Sequence, residues 1–129
     1  MPIKQFSFKK KERLKSRKQL DRIFTKGKSI TAFPLKIFYE FSEDQDNIIK
    51  TGVGVSRRNF KKAVDRNRIK RLLRESYRTE KVELLNFLEQ NKKQIALFFL
   101  YIDKTEPDYL FLKQTIQKAI KKLISEMAS

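Results

Sequence analysis

The stretch Asp65-Arg66-Asn67-Arg68-Ile69-Lys70-Arg71-Leu72-Leu73-Arg74-Glu75-Ser76-Tyr77-Arg78 sets six cations against two acids. Advancing by about 100° per residue from Ile69 keeps Leu72, Leu73 and Ser76 within about 60° of it. On the same wheel Lys70, Arg74, Asn67, Arg78 and Arg71 fall between about 100° and 200°. One side is therefore a core face, and the opposite side is almost wholly cationic, with Arg66 and Arg68 at its borders. Like charges one turn apart on a helix repel by roughly 0.2–0.5 kcal/mol per pair, so the pattern calls for an external polyanion. Guanidinium forks grip phosphate oxygens at two points, and each phosphate contact releases condensed counterions. The apolar side holds neither Trp nor Phe, which suits a sheet better than a membrane surface.

Two further groups could add to such a site. Arg57-Arg58-Asn59-Phe60-Lys61-Lys62 joins a strand to this helix, with four cations in six residues beside the amides of a helix start. Lys36 and Phe38 share one side of a strand and Phe24 lies on the first helix; unpaired bases stack on such rings while cations hold the backbone. Most of the 15 Phe and Tyr residues are nevertheless needed for the core. Other chemistry is narrowly bounded. With no Cys and no His, thiol catalysis, a Ser-His-Asp triad and His- or thiolate-ligated zinc are excluded. Gly52 and Gly54 lack the third glycine of a dinucleotide fingerprint, Arg57 standing in its place; on one side of a strand they allow another group to approach closely.

The chain is 129 residues long with a formal charge of +16, yet 40% of it is hydrophobic, too apolar for a disordered basic tail. This length fits one domain, residues 1–129, in which 1–12 form a frayed basic leader. The surplus charge is local: residues 1–28 carry +9, 29–56 carry −2, 57–78 carry +8 and 79–129 carry +1. A merely solubilising surface intersperses both signs, so two such blocks indicate a directed polyanion-binding surface. No run of 18 apolar residues and no signal-peptide core occurs, and the expected setting is the cytoplasm, without a membrane partner.

The elements that must hold these groups follow from periodicity. Ser16-Arg17-Lys18-Gln19 has capping-box form, Leu20, Ile23 and Phe24 follow at helical spacing, and Gly27 supplies the stop. From Phe33 to Phe41 the period switches to two. Ser42 to Asn47 reads as a hairpin loop into a second strand over Ile49–Ser56. A helix runs from about Lys62 beyond Arg78, and Val82, Leu84, Leu85 and Leu88 either continue it or form a separate turn. The unbroken apolar run Ile95–Ile102 suits a strand buried on both sides. After Glu106-Pro107-Asp108, the last helix aligns Leu112, Ile116, Ala119, Ile120, Leu123 and Met127. The order helix, two or three strands, helix, strand, helix gives an α+β sandwich, a small, mostly antiparallel sheet packed with helices.

The run Arg66 to Arg74 closely resembles the signature helix of the bacterial ribonuclease P protein subunit. Arg13-Leu14, Ile23-Phe24, Gly27, Val55-Ser56-Arg57-Arg58 and Ala63-Val64 extend the match along most of the chain. The resemblance implies the order α-β-β-β-α-β-α with a left-handed β-α-β crossover. It implies a monomeric protein, one per catalytic RNA, that helps that RNA remove the 5′ leader of precursor tRNA as an endoribonuclease. The chemistry would belong to the RNA and its Mg²⁺, with no cofactor bound by the protein alone. Residue by residue, Arg66, Asn67, Arg68, Lys70, Arg71 and Arg74 match the helix facing the catalytic RNA. Phe24, Lys36 and Phe38 match the cleft for the single-stranded leader, while Arg13 and Arg57, Arg58, Lys61 and Lys62 would add backbone contacts. Three positions depart from the family pattern: Leu20 stands where many members have a first cleft Phe, the Asn59–Lys62 turn lacks a usual Gly, and Asp103 follows the buried strand where an Arg is usual. The competing classes are a structural or ribosome-associated RNA-binding protein without a role in cleavage, a DNA binder and a protein-only nuclease.

Overall fold

The structure is a computed structural model, and it describes residues 13–14, 17–42 and 48–128. The capping serine, Ser16, the leader 1–12 and loop residues 43–47 lie outside the described residues. Eight elements follow one another: α1 (Arg17–Lys26), β1 (Lys28–Ala32), β2 (Leu35–Phe41), β3 (Ile49–Val55), α2 (Ala63–Glu80), α3 (Val82–Gln90), β4 (Ile95–Tyr101) and α4 (Tyr109–Ala128). The strands form one sheet in the order β1-β2-β4-β3, antiparallel except for the parallel pair β3 and β4. This is the α+β fold expected, with α2 and α3 making the crossover between the parallel strands.

Burial decides the sheet order. β4 is apolar at every position and takes the centre, where its two sides are covered. Its insertion between β2 and β3 corrects the expectation of a hairpin through Ser42–Asn47: the strands flanking that loop are not neighbours. The observed hairpin is β1–β2, turning at Phe33-Pro34, so the strand read from Phe33 starts at Leu35. β1 is the strand that periodicity leaves unplaced, because only Ile30 of its five residues is buried.

The main core fills one side of the sheet. Leu35, Ile37, Tyr39, Ile49, Leu97, Phe99 and Tyr101 meet Ile69, Leu73 and Tyr77 of α2, Leu84 and Leu88 of α3, and the predicted stripe of α4. Thr51 Oγ1 donates to Tyr77 Oη at 2.9 Å, a buried bond that fixes α2 against β3. A straight continuation of α2 would carry Leu88 about 100° round from Ile69, onto the Lys70 side. The break at buried Lys81 returns Leu84 and Leu88 to the core, making α3 a separate helix. At the start of α4, Asp108 Oδ1 accepts the Phe111 amide at 2.8 Å, the cap that the Glu106-Pro107-Asp108 break prepares.

The opposite side of the sheet holds a smaller core, Leu14, Ile23, Ala96 and Phe98, flanked by Leu20, Phe38 and Leu100. α1 is thus separated from α2 by the sheet. Gly27 ends α1 where backbone crowds it: a Cβ there would lie 2.4 Å from the Ile23 carbonyl oxygen and 2.9 Å from that of Tyr39.

Candidate nucleic-acid interface

The β3–α2 turn is anchored from inside and charged outside. The amides of Asn59 and Phe60 both donate to the Ser56 carbonyl, at 3.2 and 3.1 Å. Asn59 Nδ2 reaches across to the Ile102 carbonyl at 2.9 Å, and Phe60 is buried beside Tyr101. The Tyr101 phenol donates to the Thr105 carbonyl at 2.5 Å, and burial, then the Asp103 charge, pushes its pKa up to about 12. With Asn59 and Phe60 tied down, Arg57, Arg58, Lys61 and Lys62 are left exposed. No glycine is needed, since the sole residue of positive φ among the described residues is Lys92, far along the chain. Arg66 turns back on this turn, its Nη1 donating to the carbonyls of Phe60 at 2.9 Å and Lys61 at 2.7 Å.

α2 then displays its charge as the wheel requires. Ile69, Leu73, Ser76 and Tyr77 are buried, while Asn67, Lys70, Arg71, Arg74, Glu75 and Arg78 line an open groove of ≈ 540 Å³ together with Arg13. Arg13 arrives from a distant part of the chain because its segment bridges β3: it pairs with Thr51, and the Leu14 amide donates to the Thr51 carbonyl at 2.8 Å. Leu14 buries itself in the second core and so holds Arg13 against the helix. Burial, and next the Arg13 charge, lower the pKa of Arg74, so the two guanidiniums lie close enough to repel. At the far end Glu75 and Arg78 pair; the Arg78 hydrogen bond holds the Glu75 carboxyl below its usual range, and the same bond raises Arg78. Arg68 leaves the groove at the other border, bonded to Asp65 at 3.1 Å and to Glu106.

An aromatic cluster lies across the sheet, where α1 meets the strands. Phe24, 43% exposed, meets Phe38 edge-on at 4.9 Å and Phe98 edge-on at 5.0 Å, and Lys36 Nζ lies 5.3 Å from the Phe38 ring centre. Leu20 packs against the same small core as Phe98. The structure therefore brings Leu20, Phe24, Lys36 and Phe38 together in one aromatic cluster. It brings Asn67, Lys70, Arg71, Arg74 and Arg13 into one groove, and it engages Arg66 and Arg68 with the protein itself.

Sequence reasoning passed over three contributors. Phe98 joins the aromatic cluster because it pairs with Phe38 on one side and Gly52 on the other, a register that no local period reveals. Glu106 and Glu40 meet Arg68 and Arg22 from 38 and 18 residues away. Only the two glycines signalled the close approach: a Cβ at Gly52 or Gly54 would lie 2.8 or 2.7 Å from the Phe98 ring. Among the described residues no three acidic side chains converge as a metal-binding cluster, and no helix is long and apolar enough to cross a membrane.

Fold and site together define a small basic α+β protein that presents a cationic helix groove on one side of its sheet and an aromatic cluster on the other. The ribonuclease P family matches residues 8–124, and the chain belongs to it. The ribonuclease P protein component of Porphyromonas gingivalis is 30% identical over 125 residues, covering 96% of this chain and 91% of that protein. That of Chlorobium phaeobacteroides is 30% identical over 133 residues, covering 94% and 91%. The fold is similar to the RNase P protein of Thermotoga maritima, with a TM-score of 0.67 at 22% identity, covering 85% of this chain and 96% of the other.

Proposed function

We propose that this chain is the protein subunit of ribonuclease P, assisting a catalytic RNA in the Mg²⁺-dependent removal of the 5′ leader from precursor tRNA. Family membership supports the RNA partner, and the groove supports the mode of contact. Phosphates seat against Lys70, Arg71, Arg74 and Arg13, where the mutual repulsion of Arg13 and Arg74 is relieved on binding. Arg57, Arg58, Lys61 and Lys62 extend the cationic surface along the anchored turn, and Asn67 adds a neutral donor. In this reading Arg66 first serves the turn, and Arg68 reaches RNA by exchanging Asp65 and Glu106 for phosphate. The cluster formed by Phe24, Phe38, Lys36 and Leu20 takes the single-stranded leader, rings against bases and ammonium against backbone. The protein's contribution is positioning and charge neutralisation; bond cleavage and the Mg²⁺ ions belong to the RNA, one protein serving each RNA.

The observation that carries this reading is the groove that gathers Arg13, Lys70, Arg71 and Arg74. Reconstitution tests it. A bacterial catalytic RNA is given precursor tRNA at low Mg²⁺, with and without the protein. The expected result is cleavage that the protein accelerates and that Lys70→Gln/Arg71→Gln/Arg74→Gln impairs. Cleavage unaffected by the protein overturns the reading, and site-specific cleavage by the protein alone overturns the assignment of the chemistry.

A further inference from the structure

α1 carries a second cationic surface that the groove on α2 does not include. Its apolar side is narrow: Ile23 is buried, Leu20 half-buried, and Phe24 joins the aromatic cluster. On the other side Lys18, Arg22 and Lys26 recur at i, i+4 and i+8, and all three are exposed. The row runs about 12 Å along the helix, long enough to follow several charges of a polynucleotide strand.

Lys26 in the last turn suits the helix dipole and Asp21 lies one turn from Arg17 and Lys18, but the remaining local energetics run against this arrangement. A helix of ten residues is marginal by itself. Its first turn holds Arg17 and Lys18 and no acid, where the helix dipole favours carboxylates. Lys18–Arg22 and Arg22–Lys26 are like-charged pairs one turn apart, each unfavourable, where a Glu in the middle would have been favourable to both neighbours. Among the described residues the one ion pair this row makes is Arg22 Nε with Glu40 Oε1, at 2.8 Å, and Arg22 remains 66% exposed in it. Charges kept at the expense of the helix that bears them have an external counterpart. The same logic picks out α2, but α1 packs on Ala96 and Phe98 and α2 packs on Thr51 and Phe99, across the sheet. The two rows of cations therefore face away from one another.

We propose that Lys18, Arg22 and Lys26, on the outer side of α1, form an RNA-backbone contact separate from both the α2 groove and the aromatic cluster, engaging a polynucleotide segment other than the one seated on α2. Glu40 serves as the partner that a phosphate displaces from Arg22. The proposal rests on the reading of the chain as an RNA-binding subunit.

The test is the full chain bearing Lys18→Gln/Arg22→Gln/Lys26→Gln, titrated with a bacterial catalytic RNA bound to precursor tRNA over a range of salt. Glutamine keeps helix propensity and removes the repulsion. The thermal midpoint is therefore expected to hold or rise while affinity falls about tenfold or more, with a loss of about two to three units in the log–log salt slope. A purely structural or solvating row would move stability and leave the slope alone. Combining this variant with Lys70→Gln/Arg71→Gln/Arg74→Gln should add the two losses, and Glu40→Gln should tighten binding. If the α1 variant binds as the parent does while the α2 variant is weakened, the second contact is overturned and the RNA-binding reading stands. If neither variant is weakened, both are overturned.

Discussion

Gly52 and Gly54 leave room for one particular ring. Phe98 pairs directly with Gly52, and its ring extends over both glycines to meet Phe24 edge-on at 5.0 Å. A methyl at position 54 would sit 2.7 Å from the ring's Cζ, so Gly54→Ala must displace the ring. Overpacking of this kind costs about 1–3 kcal/mol. Moving Phe98 also moves Phe24, so single-stranded RNA should bind Gly54→Ala more weakly than the stability loss alone accounts for. The coupling is measured by a double-mutant cycle in chemical denaturation and in binding. Gly54→Ala/Phe98→Leu should recover most of the lost stability but not the aromatic cluster; additive losses would show that ring and glycine are independent. The residue scale also shows why legibility differs between the two sites. Lys70, Arg71 and Arg74 share a helix, so angular position alone assigns them to one face. The aromatic cluster spans three elements, and Phe98 joins it through strand register, which carries no local signature. The inward turn of Arg66 and the Glu106 partner of Arg68 are equally products of tertiary proximity.

Elements were legible in proportion to how completely their own pattern decided their burial. The stripe of α4 and the unbroken run of β4 specify what each must cover, and both are found in place. β1 has one buried residue in five and draws its order from pairing with β2, so its period is too weak to read. The loop before β3 reads as a hairpin turn because adjacent strands usually pair; the preference of β4 for the centre overrides that rule here. The end of α3 offers a test of element-level strain. Lys93 N–H returns to the Leu88 carbonyl at 2.9 Å and Lys92 sits at φ 52, a left-handed helix terminus that usually belongs to glycine. A side chain in that conformation costs about 1 kcal/mol. Lys92→Gly should therefore raise the thermal midpoint by about 3–5 °C, whereas Lys92→Ala should bring no such gain. Equal midpoints for the two variants would show that the backbone there is unstrained.

At the scale of the whole molecule the governing quantity is the charge of +16 on 129 residues, and its effects on stability and on binding have opposite signs. Self-repulsion destabilises the compact state. It acts between the exposed cations of the β3–α2 turn, along α1, and where the Arg13 charge bears on Arg74. Few acids offset it, since Glu40, Glu75 and Glu106 each neutralise one arginine and leave the groove cations on α2 facing one another. Raising monovalent salt from about 0.01 to 0.15 M shortens the screening length from about 30 to 8 Å, which weakens repulsion between elements while leaving the apolar core largely unchanged. The thermal midpoint should therefore rise over that range. Affinity for RNA should fall over the same range, because fewer counterions are released into a saltier solution. Variants in which groove cations become glutamine should show both trends flattened together, since the same side chains produce them. A midpoint that fell with salt would mean that ion pairs, not repulsion, dominate the surface. Flattening of the binding trend without flattening of the stability trend would locate the repulsion outside the groove, most directly on α1.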